Sequence, residues 1–295
     1  MRLINALFIL LFYIYSPVSF AQFSVQDDMG HSVTLDKPAR RIISLAPHLT
    51  ETIFTAGAGQ YLIGVVQYSD YPPAAKKIKR VGGYSKLDVE AVIALKPDLV
   101  VVWHSGNNRA QLEKLKKFGL KVYINEPGNI LDIATLMEKL GVLTDNKTAA
   151  NKAADHFRKR YHQLKQSYQN RKPVSGFYQV WNKPLLTVSS KHSISQVMNL
   201  CGISNVFTEL SRQELRISTE SVLEKDPQMI IASGMNEARP DWLDDWRKWK
   251  SMQAVKNNNL YFIPPSIIQR HSPRILDATA QLCEQAEQAR KNLQR

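Results

Sequence analysis

Aromatic side chains follow several predicted strands of this sequence, at the points where the chain would leave a parallel sheet. The five are Tyr68, Tyr71, Tyr84, Trp103 and Trp181. Ligands collect at the carboxyl ends of strands in α/β sheets, and flat aromatic faces suit a broad, partly apolar molecule. Any one of these rings could be an ordinary core or rim side chain. Their recurrence at strand ends in both halves of the chain predicts a ligand-stacking surface.

Charged and imidazole groups give a weaker signal. Arg270 lies in "IIQRHSPR", before the last predicted helix, and could donate hydrogen bonds to ligand amides or carboxylates, although a plain surface arginine is the alternative. The seven histidines are scattered without the spacing of metal ligands, at positions 31, 48, 104, 156, 162, 192 and 271. The sequence has no G-x-S-x-G, P-loop, G-x-G-x-x-G or H-E-x-x-H motif. Catalysis is therefore not indicated, and a metal-dependent enzyme using His48 or His104 is the alternative of another class.

A repeated unit indicates how these residues are positioned. The stretch "DVEAVIALKPDLVVVW" at 88–103 returns as "STESVLEKDPQMIIAS" at 218–233, with Glu90 over Glu220 and Pro97 over Pro227. Each copy predicts a short helix, a proline turn and a strand. The unbroken apolar run after the proline is typical of a strand covered on both faces. Two such units predict two similar lobes.

The segment 144–170 differs from both halves. It contains no Gly or Pro, opens on Thr144 and Asp145 as helix caps, and carries one apolar stripe at spacings of three and four. A helix of that length would span roughly 40 Å. Elsewhere strands alternate with helices, which predicts an α/β fold with mostly parallel sheets. We therefore expect a lobe at 22–143, a rigid bridging helix at 144–170 and a second lobe at 171–295.

Composition and charge set the broad class. The chain has 295 residues, 44% of them apolar and 22% charged, which is ordinary for a globular protein and enough for two domains. Its formal net charge is +13, but the lysines and arginines are spread over amphipathic helices and form no single stripe. That distribution predicts a solvated surface and no nucleic-acid partner.

The first 21 residues read as an export signal. They combine Arg2, an apolar block of about a dozen residues and a small-x-small ending, so cleavage is expected after Ala21. The apolar block is short for a membrane span, which needs roughly 20 residues. We expect a soluble, exported mature protein.

Two cysteines, Cys201 and Cys283, follow the signal. In an oxidising compartment an even count favours a disulfide. Two separate buried thiols are the alternative. Cys283 lies on the apolar face of the predicted terminal helix, where it could meet Cys201.

Four stretches carry a family resemblance: "YSDYPP", "VEAVIALKPDLVVVWHSGN", "LCGISNVF" and "SPRILDATAQLC". They resemble the periplasmic cobalamin-binding proteins, which belong to the substrate-binding proteins of metal-chelate ABC importers. The resemblance covers nearly all of the chain after the signal. It implies a helical-backbone binding protein, a monomer without catalytic activity, that captures cobalamin between its lobes. The ligand would carry its own cobalt, so no other cofactor is implied. Delivery would be to an inner-membrane permease dimer with its ATPase.

The resemblance also assigns residues. It places a set of side chains around the ligand, namely Pro47, His48, Tyr68, Tyr84, Trp103, Trp181 and Arg270. It pairs Cys201 with Cys283. It further implies that one glutamate on each lobe docks onto permease arginines, and the matching positions are Glu90 and Glu220. A glutamate in the first turn of a helix can also simply complement the helix dipole.

The rival of the same fold is a carrier of haem or a ferric siderophore. A siderophore carrier would be expected to offer several arginines in the cleft, whereas this sequence offers mainly Arg270 and many aromatic residues.

Overall fold

The computed structural model describes residues 23–83, 86–209 and 214–294, which form two α/β lobes with a long helix between them in the chain. The predicted export signal and Tyr84 lie outside the described residues. No helix in the described part of the chain combines the length and the apolar character needed to cross a membrane.

The N-terminal lobe starts with an antiparallel hairpin that turns at Gly30, where φ is +81°. Its strands are β1 (Phe23–Gln26), β2 (Ser32–Leu35), β3 (Ile42–Ser44), β4 (Leu62–Val65), β5 (Leu99–Trp103) and β6 (Val122–Asn125). Its helices are α1 (Pro47–Thr55), α2 (Val89–Ala94), α3 (Arg109–Lys117) and α4 (Asp132–Leu143). The last four strands form a parallel sheet in the order β4-β3-β5-β6.

The C-terminal lobe follows helix α5 (Lys147–Tyr168). Its strands are β7 (Val174–Gln179), β8 (Trp181–Asn182), β9 (Leu185–Val188), β10 (Ile203–Asn205), β11 (Glu214–Arg216), β12 (Met229–Ala232) and β13 (Leu260–Phe262). Its helices are α6 (Ser193–Leu200), α7 (Thr219–Lys225), α8 (Gln253–Lys256), α9 (Pro265–Ile268) and α10 (Ile275–Asn292). A parallel sheet has the order β10-β7-β12-β13, and β11-β9-β8 form a small antiparallel sheet.

The two parallel sheets share one topology, because in each the strand order along the sheet is second, first, third, fourth. The repeated units α2–β5 and α7–β12 therefore occupy equivalent places. Asp88 and Ser218 cap their helices by accepting the backbone N–H three residues on, at 2.9 and 3.1 Å. In β5, Leu99 packs into one core and Val100 into another, so the predicted burial on both faces is confirmed.

Helix α5 begins at Lys147, three residues after the expected start at Thr144. Thr144 instead ends α4, where its hydroxyl donates to the carbonyl of Leu140 at 2.7 Å. Asp145 takes φ of +50°, a left-handed conformation that separates the two helices. The helix therefore starts only after this turn.

One hydrophobic core extends through both lobes, and each lobe has a second core of its own. Helix α5 packs against α4 of the first lobe and α10 of the second, and buried residues of both lobes belong to a single cluster. Gln196 of α6 also donates to the carbonyl of Gly128 at 2.9 Å. The predicted disulfide is present: Cys201 is bonded to Cys283, which ties the end of α6 to α10 inside this core.

Candidate functional site

The N-terminal lobe contributes one side of the site, at the ends of β3 and β4. Pro47 occupies the first position of α1, where its fixed φ suits a helix start, and His48 follows it into the interior. The hydroxyl of Thr50 donates to Ser44 Oγ at 2.9 Å and to Ser69 Oγ at 3.1 Å. These bonds fix α1 against the turn that follows β4.

Trp103 ends β5 and its ring contacts His48 edge-on, with ring centroids 5.2 Å apart. The backbone N–H of Trp103 donates to Asn107 Oδ1 at 2.8 Å, and Asn107 Nδ2 donates to the carbonyl of Leu45 at 2.9 Å. Gly106 lies against the indole, because a Cβ there would fall 1.8 Å from a ring atom. Only glycine allows this approach, so the loop holds the Trp103 ring in one place.

The second lobe reaches this side of the site through His271, in the loop before α10. Its ring centroid lies 6.0 Å from that of His48, 6.3 Å from Trp103 and 6.3 Å from His192 of the second lobe. We call His48, His192 and His271 the imidazole cluster. Together with Trp103 it forms the floor of the junction between the lobes.

The imidazole cluster is uncharged at neutral pH. Burial, reinforced by the nearby His271 and Arg270, lowers the pKa of His48 to about 3, although the Asn125 side chain acts in the opposite direction. Burial and His271 lower the pKa of His192 to about 4. Burial also lowers the pKa of His271, against the pull of Glu126. Neutral imidazoles keep one lone pair each, which makes them acceptors or metal ligands.

Four charged residues join the two lobes beside this floor, and we call them the interlobe latch: Glu51, Asp70, Arg270 and Arg274. Glu51 is 2% exposed, and its Oε1 accepts from Arg270 Nη1 at 2.9 Å and Arg274 Nη2 at 2.8 Å. Its Oε2 accepts from Arg274 Nε at 2.9 Å. Arg270 also bonds Asp70 Oδ1 at 2.8 Å.

The aromatic turn after β4 is held by the same latch. Tyr68 has φ of +64° and is 71% exposed, and its carbonyl accepts from Arg270 Nη2 at 3.1 Å. The guanidinium of Arg274 lies over the ring of Tyr71, 4.0 Å from its centroid. The Tyr68 ring is therefore presented outward from a fixed backbone.

Trp181 stands in the second lobe. Its ring meets that of Trp242 at 6.3 Å between centroids, and both line a cavity of about 370 Å³ with the exposed Met235. Gln269 donates to Ser233 Oγ at 3.1 Å and to the carbonyl of Gly234 at 3.2 Å, both also in this lining. The cavity therefore adjoins the loop that carries Arg270.

The residues named from the sequence fall into three groups. The lobe junction brings together Pro47, His48, Tyr68, Trp103 and Arg270. Trp181 lies in the adjoining cavity, and Tyr84 lies outside the described residues. Arg270 differs from the expected free donor, since its guanidinium is already in ion pairs.

Sequence reasoning missed five residues that meet at the junction: Glu51, Asp70, His192, His271 and Arg274. The only sequence signal was the four-residue spacing of Arg270 and Arg274 around His271. His104 is exposed, so it does not join the imidazole cluster. Across the described ranges, no three His, Cys, Asp or Glu side chains are grouped so as to hold a metal ion.

The two repeated glutamates lie on the surface. Glu90 borders a hollow of about 500 Å³ lined also by Lys86 and Gln111, and Glu220 borders one of about 920 Å³ lined also by Arg216. Both carboxylates are exposed in the first turn of their helices. The backbone N–H of Glu220 and the Ser218 hydroxyl lower the pKa of Glu220, so it is anionic at neutral pH.

Two similar lobes, with rings from both meeting beside the carboxyl ends of their strands, are typical of a protein that binds a ligand between its lobes. The chain belongs to the periplasmic binding protein family, whose model matches residues 42–267.

Individual relatives give the same picture. The chain is 36% identical, over 281 residues, to a protein of Vibrio parahaemolyticus named vitamin B12-binding protein, with 94% of this chain and 97% of that protein covered. The crystal structure of the periplasmic vitamin B12 binding protein BtuF of Vibrio cholerae is similar at a TM-score of 0.80 and 36% identity. That match covers 86% of this chain and 99% of that one. A periplasmic haem-binding protein of Pseudomonas aeruginosa matches at a TM-score of 0.72 and 21% identity, covering 83% of this chain and 91% of that one, which is a likeness of fold alone.

Proposed function

We propose that this chain is the substrate-binding component of a vitamin B12 ABC importer, and that it captures cobalamin between its lobes without catalysis. The observation that carries the proposal is the contact between Trp103 of the first lobe and His271 of the second, with ring centroids 6.3 Å apart, beside the turn whose Tyr68 carbonyl accepts from Arg270. The relatives at 36–38% identity that are named vitamin B12-binding proteins support it.

The chemistry of the junction suits this ligand. A corrin is a wide, flat and largely apolar ring with amide groups around its edge. Aromatic faces such as Trp103 and Tyr68 would stack on the ring, each contributing roughly 0.5–1.5 kcal/mol beyond the burial of area. The backbone groups and hydroxyls near Ser233 would meet the amides.

Isothermal titration of the purified protein with cyanocobalamin tests the proposal. We expect one ligand per chain and cobalt that co-elutes with the protein in gel filtration. A matched titration with the Trp103→Ala variant shows whether the heat comes from the junction. Absence of heat and of co-eluting cobalt in the wild type would reject the assignment.

A haem carrier is the second candidate, and the imidazole cluster is the observation that favours it, because imidazole is a common axial ligand of haem iron. A haemin titration beside the cyanocobalamin titration separates the two. Tight haemin binding without cyanocobalamin binding would favour haem. A ferric siderophore is less well supported, because Arg270 and Arg274 are both engaged by Glu51 and leave less positive charge for an anionic ligand.

We further propose that Glu90 and Glu220 dock onto a two-fold permease, one glutamate per subunit. A two-fold receptor needs two similar patches on its partner, and these glutamates hold equivalent positions in two repeated units beside two hollows. The periplasm is the compartment that such docking requires. We expect the working protein to be a monomer whose chain starts after Ala21, and mass spectrometry of the exported protein checks this.

The double variant Glu90→Arg, Glu220→Arg tests the docking proposal. Cyanocobalamin affinity should stay unchanged, because both side chains lie away from the junction, while vitamin B12 uptake by cells should be lost. A control with Glu224→Arg, on the same short helix α7 as Glu220, should leave uptake intact. Normal uptake by the double variant would show that these glutamates have no docking role.

A further inference from the structure

We propose that His271 is an axial ligand to the cobalt of the bound corrin, so that the protein prefers cobalamins whose upper axial position is exchangeable. The inference rests on the proposed function, since it needs a cobalamin at the junction. It is carried by the placement of the imidazole cluster at the lobe junction and by ring nitrogens that lack partners there.

The three imidazoles are not equivalent. His192 Nδ1 accepts the backbone N–H of Ile194 at 3.1 Å, so the neutral ring carries its proton on Nε2 and has no lone pair free for a metal. His48 is 4% exposed and cannot reach a ligand without displacing its neighbours. His271 is partly exposed and lies between rings of both lobes. Its ring nitrogens make no hydrogen bond to any residue in the described ranges.

His48 would accept a hydrogen bond from His271 and so orient it as a cobalt ligand. A metal-bound histidine donates its other ring N–H to a nearby acceptor, which fixes the orientation of the ring. His48 meets His271 edge-on at 6.0 Å between centroids, so a ring nitrogen of His48 is the candidate acceptor. Within the part of the chain that the structure describes, His48 Nε2 is buried without a hydrogen-bond partner, which is costly unless a ligated state uses the ring.

The reaction is a simple ligand substitution. Aquacobalamin carries water on the upper axial position of Co(III). The lone pair of a His271 ring nitrogen forms a Co–N bond, the Co–O bond breaks and the water leaves. No electron is transferred, so cobalt stays Co(III). Cyanocobalamin holds its cyanide on the same position and would not react.

Visible spectra and affinities measured with aquacobalamin and cyanocobalamin at neutral pH test the inference. For the wild type, we expect the aquacobalamin bands to shift to those of the imidazole complex of free cobalamin, while the cyanocobalamin bands stay in place. Aquacobalamin should bind at least ten-fold more tightly than cyanocobalamin. In His271→Ala and His271→Gln the shift and the preference should be lost, with measurable cyanocobalamin binding as proof of an intact junction. His104→Ala, a control at an exposed histidine outside the imidazole cluster, should keep the shift.

Four results would overturn the inference. Binding of both compounds to the wild type without a shift would overturn it alone and leave the proposed function standing. A shift that persists in both His271 variants would show that another group is the ligand. Loss of cyanocobalamin binding in both variants would make His271 a structural residue. Failure of the wild type to bind either compound would remove the proposed function and this inference together.

Discussion

Replacement of Glu51 by alanine removes the carboxylate that accepts hydrogen bonds from both arginines of the interlobe latch. The side chain is 2% exposed and accepts three hydrogen bonds, two from Arg274 and one from Arg270, at 2.8–2.9 Å. Arg270 and Arg274 are themselves only 16% and 18% exposed, so the change would leave two guanidinium groups poorly solvated.

The size of the stability loss depends on the hydrogen bonds that Arg270 and Arg274 keep in the variant. Loss of one partner of a buried ion pair typically costs about 3–5 kcal/mol. Arg270 keeps Asp70 at 2.8 Å and the Tyr68 carbonyl at 3.1 Å, and Arg274 keeps the Ser266 carbonyl at 3.3 Å. We therefore expect the lower end, about 3 kcal/mol of unfolding free energy. At about 2–4 °C per kcal/mol for a chain of this size class, Tm should fall by at least about 6 °C.

Thermal and guanidinium unfolding followed by circular dichroism measure this loss. Asp70→Asn is the matched control, because Asp70 bonds the same Arg270 but is 49% exposed, so its loss should cost at most about 1 kcal/mol. Glu51→Gln keeps the size and one acceptor oxygen and should fall between the two. A Glu51→Ala variant within about 1 kcal/mol of the wild type, or an Asp70→Asn variant that loses as much stability as Glu51→Ala, would contradict this role of the latch.

Three further predictions concern binding, the disulfide and pH. Trp103→Ala should weaken cyanocobalamin binding at least ten-fold in calorimetry, since stacking and buried area are both lost; unchanged affinity would place the ring outside the site. Replacement of Cys201 and Cys283 by alanine should lower the guanidinium-derived unfolding free energy by about 4–5 kcal/mol, because the bridge closes a long loop; a loss below about 1 kcal/mol would contradict this. Burial alone would raise the pKa of Asp28, but Lys139 and other hydrogen-bond donors lower it below 3.8. The contribution of Asp28 to stability is thus present above about pH 4 and is lost as pH falls through the folded-state pKa. Asp28→Asn should therefore make the unfolding free energy less dependent on pH in the acid range. An unchanged pH dependence would contradict this role of Asp28.

Much of the fold follows from local patterns. The repeat at 88–103 and 218–233 predicted two similar lobes, and the unbroken apolar run of β5 predicted a strand buried on both faces. The apolar stripe after 144 predicted the long helix α5. Its start was placed three residues early, because the left-handed turn at Asp145 depends on how α4 and α5 pack, and a capping pattern does not encode that packing.

The candidate site was predictable only in part. Trp103 and Tyr68 were found because aromatic residues at strand ends have a local signature. Arg270 was identified from the sequence as a site residue, but its ion pair with Glu51 was not, since the two positions are 219 residues apart. No periodicity or spacing can indicate such a partner.

The sequence by itself determined the elements and their alternation, because hydrophobic periodicity and turn chemistry act over a few residues. The family was indicated separately, by the resemblance of four stretches of the sequence. The tertiary structure decided that His48, His192 and His271 meet, and that Glu51 receives Arg270 and Arg274. These contacts depend on how the two lobes pack together against α5. That arrangement is set by packing over the whole core. Residues far apart in the chain therefore form the imidazole cluster and the interlobe latch only when the lobes pack together.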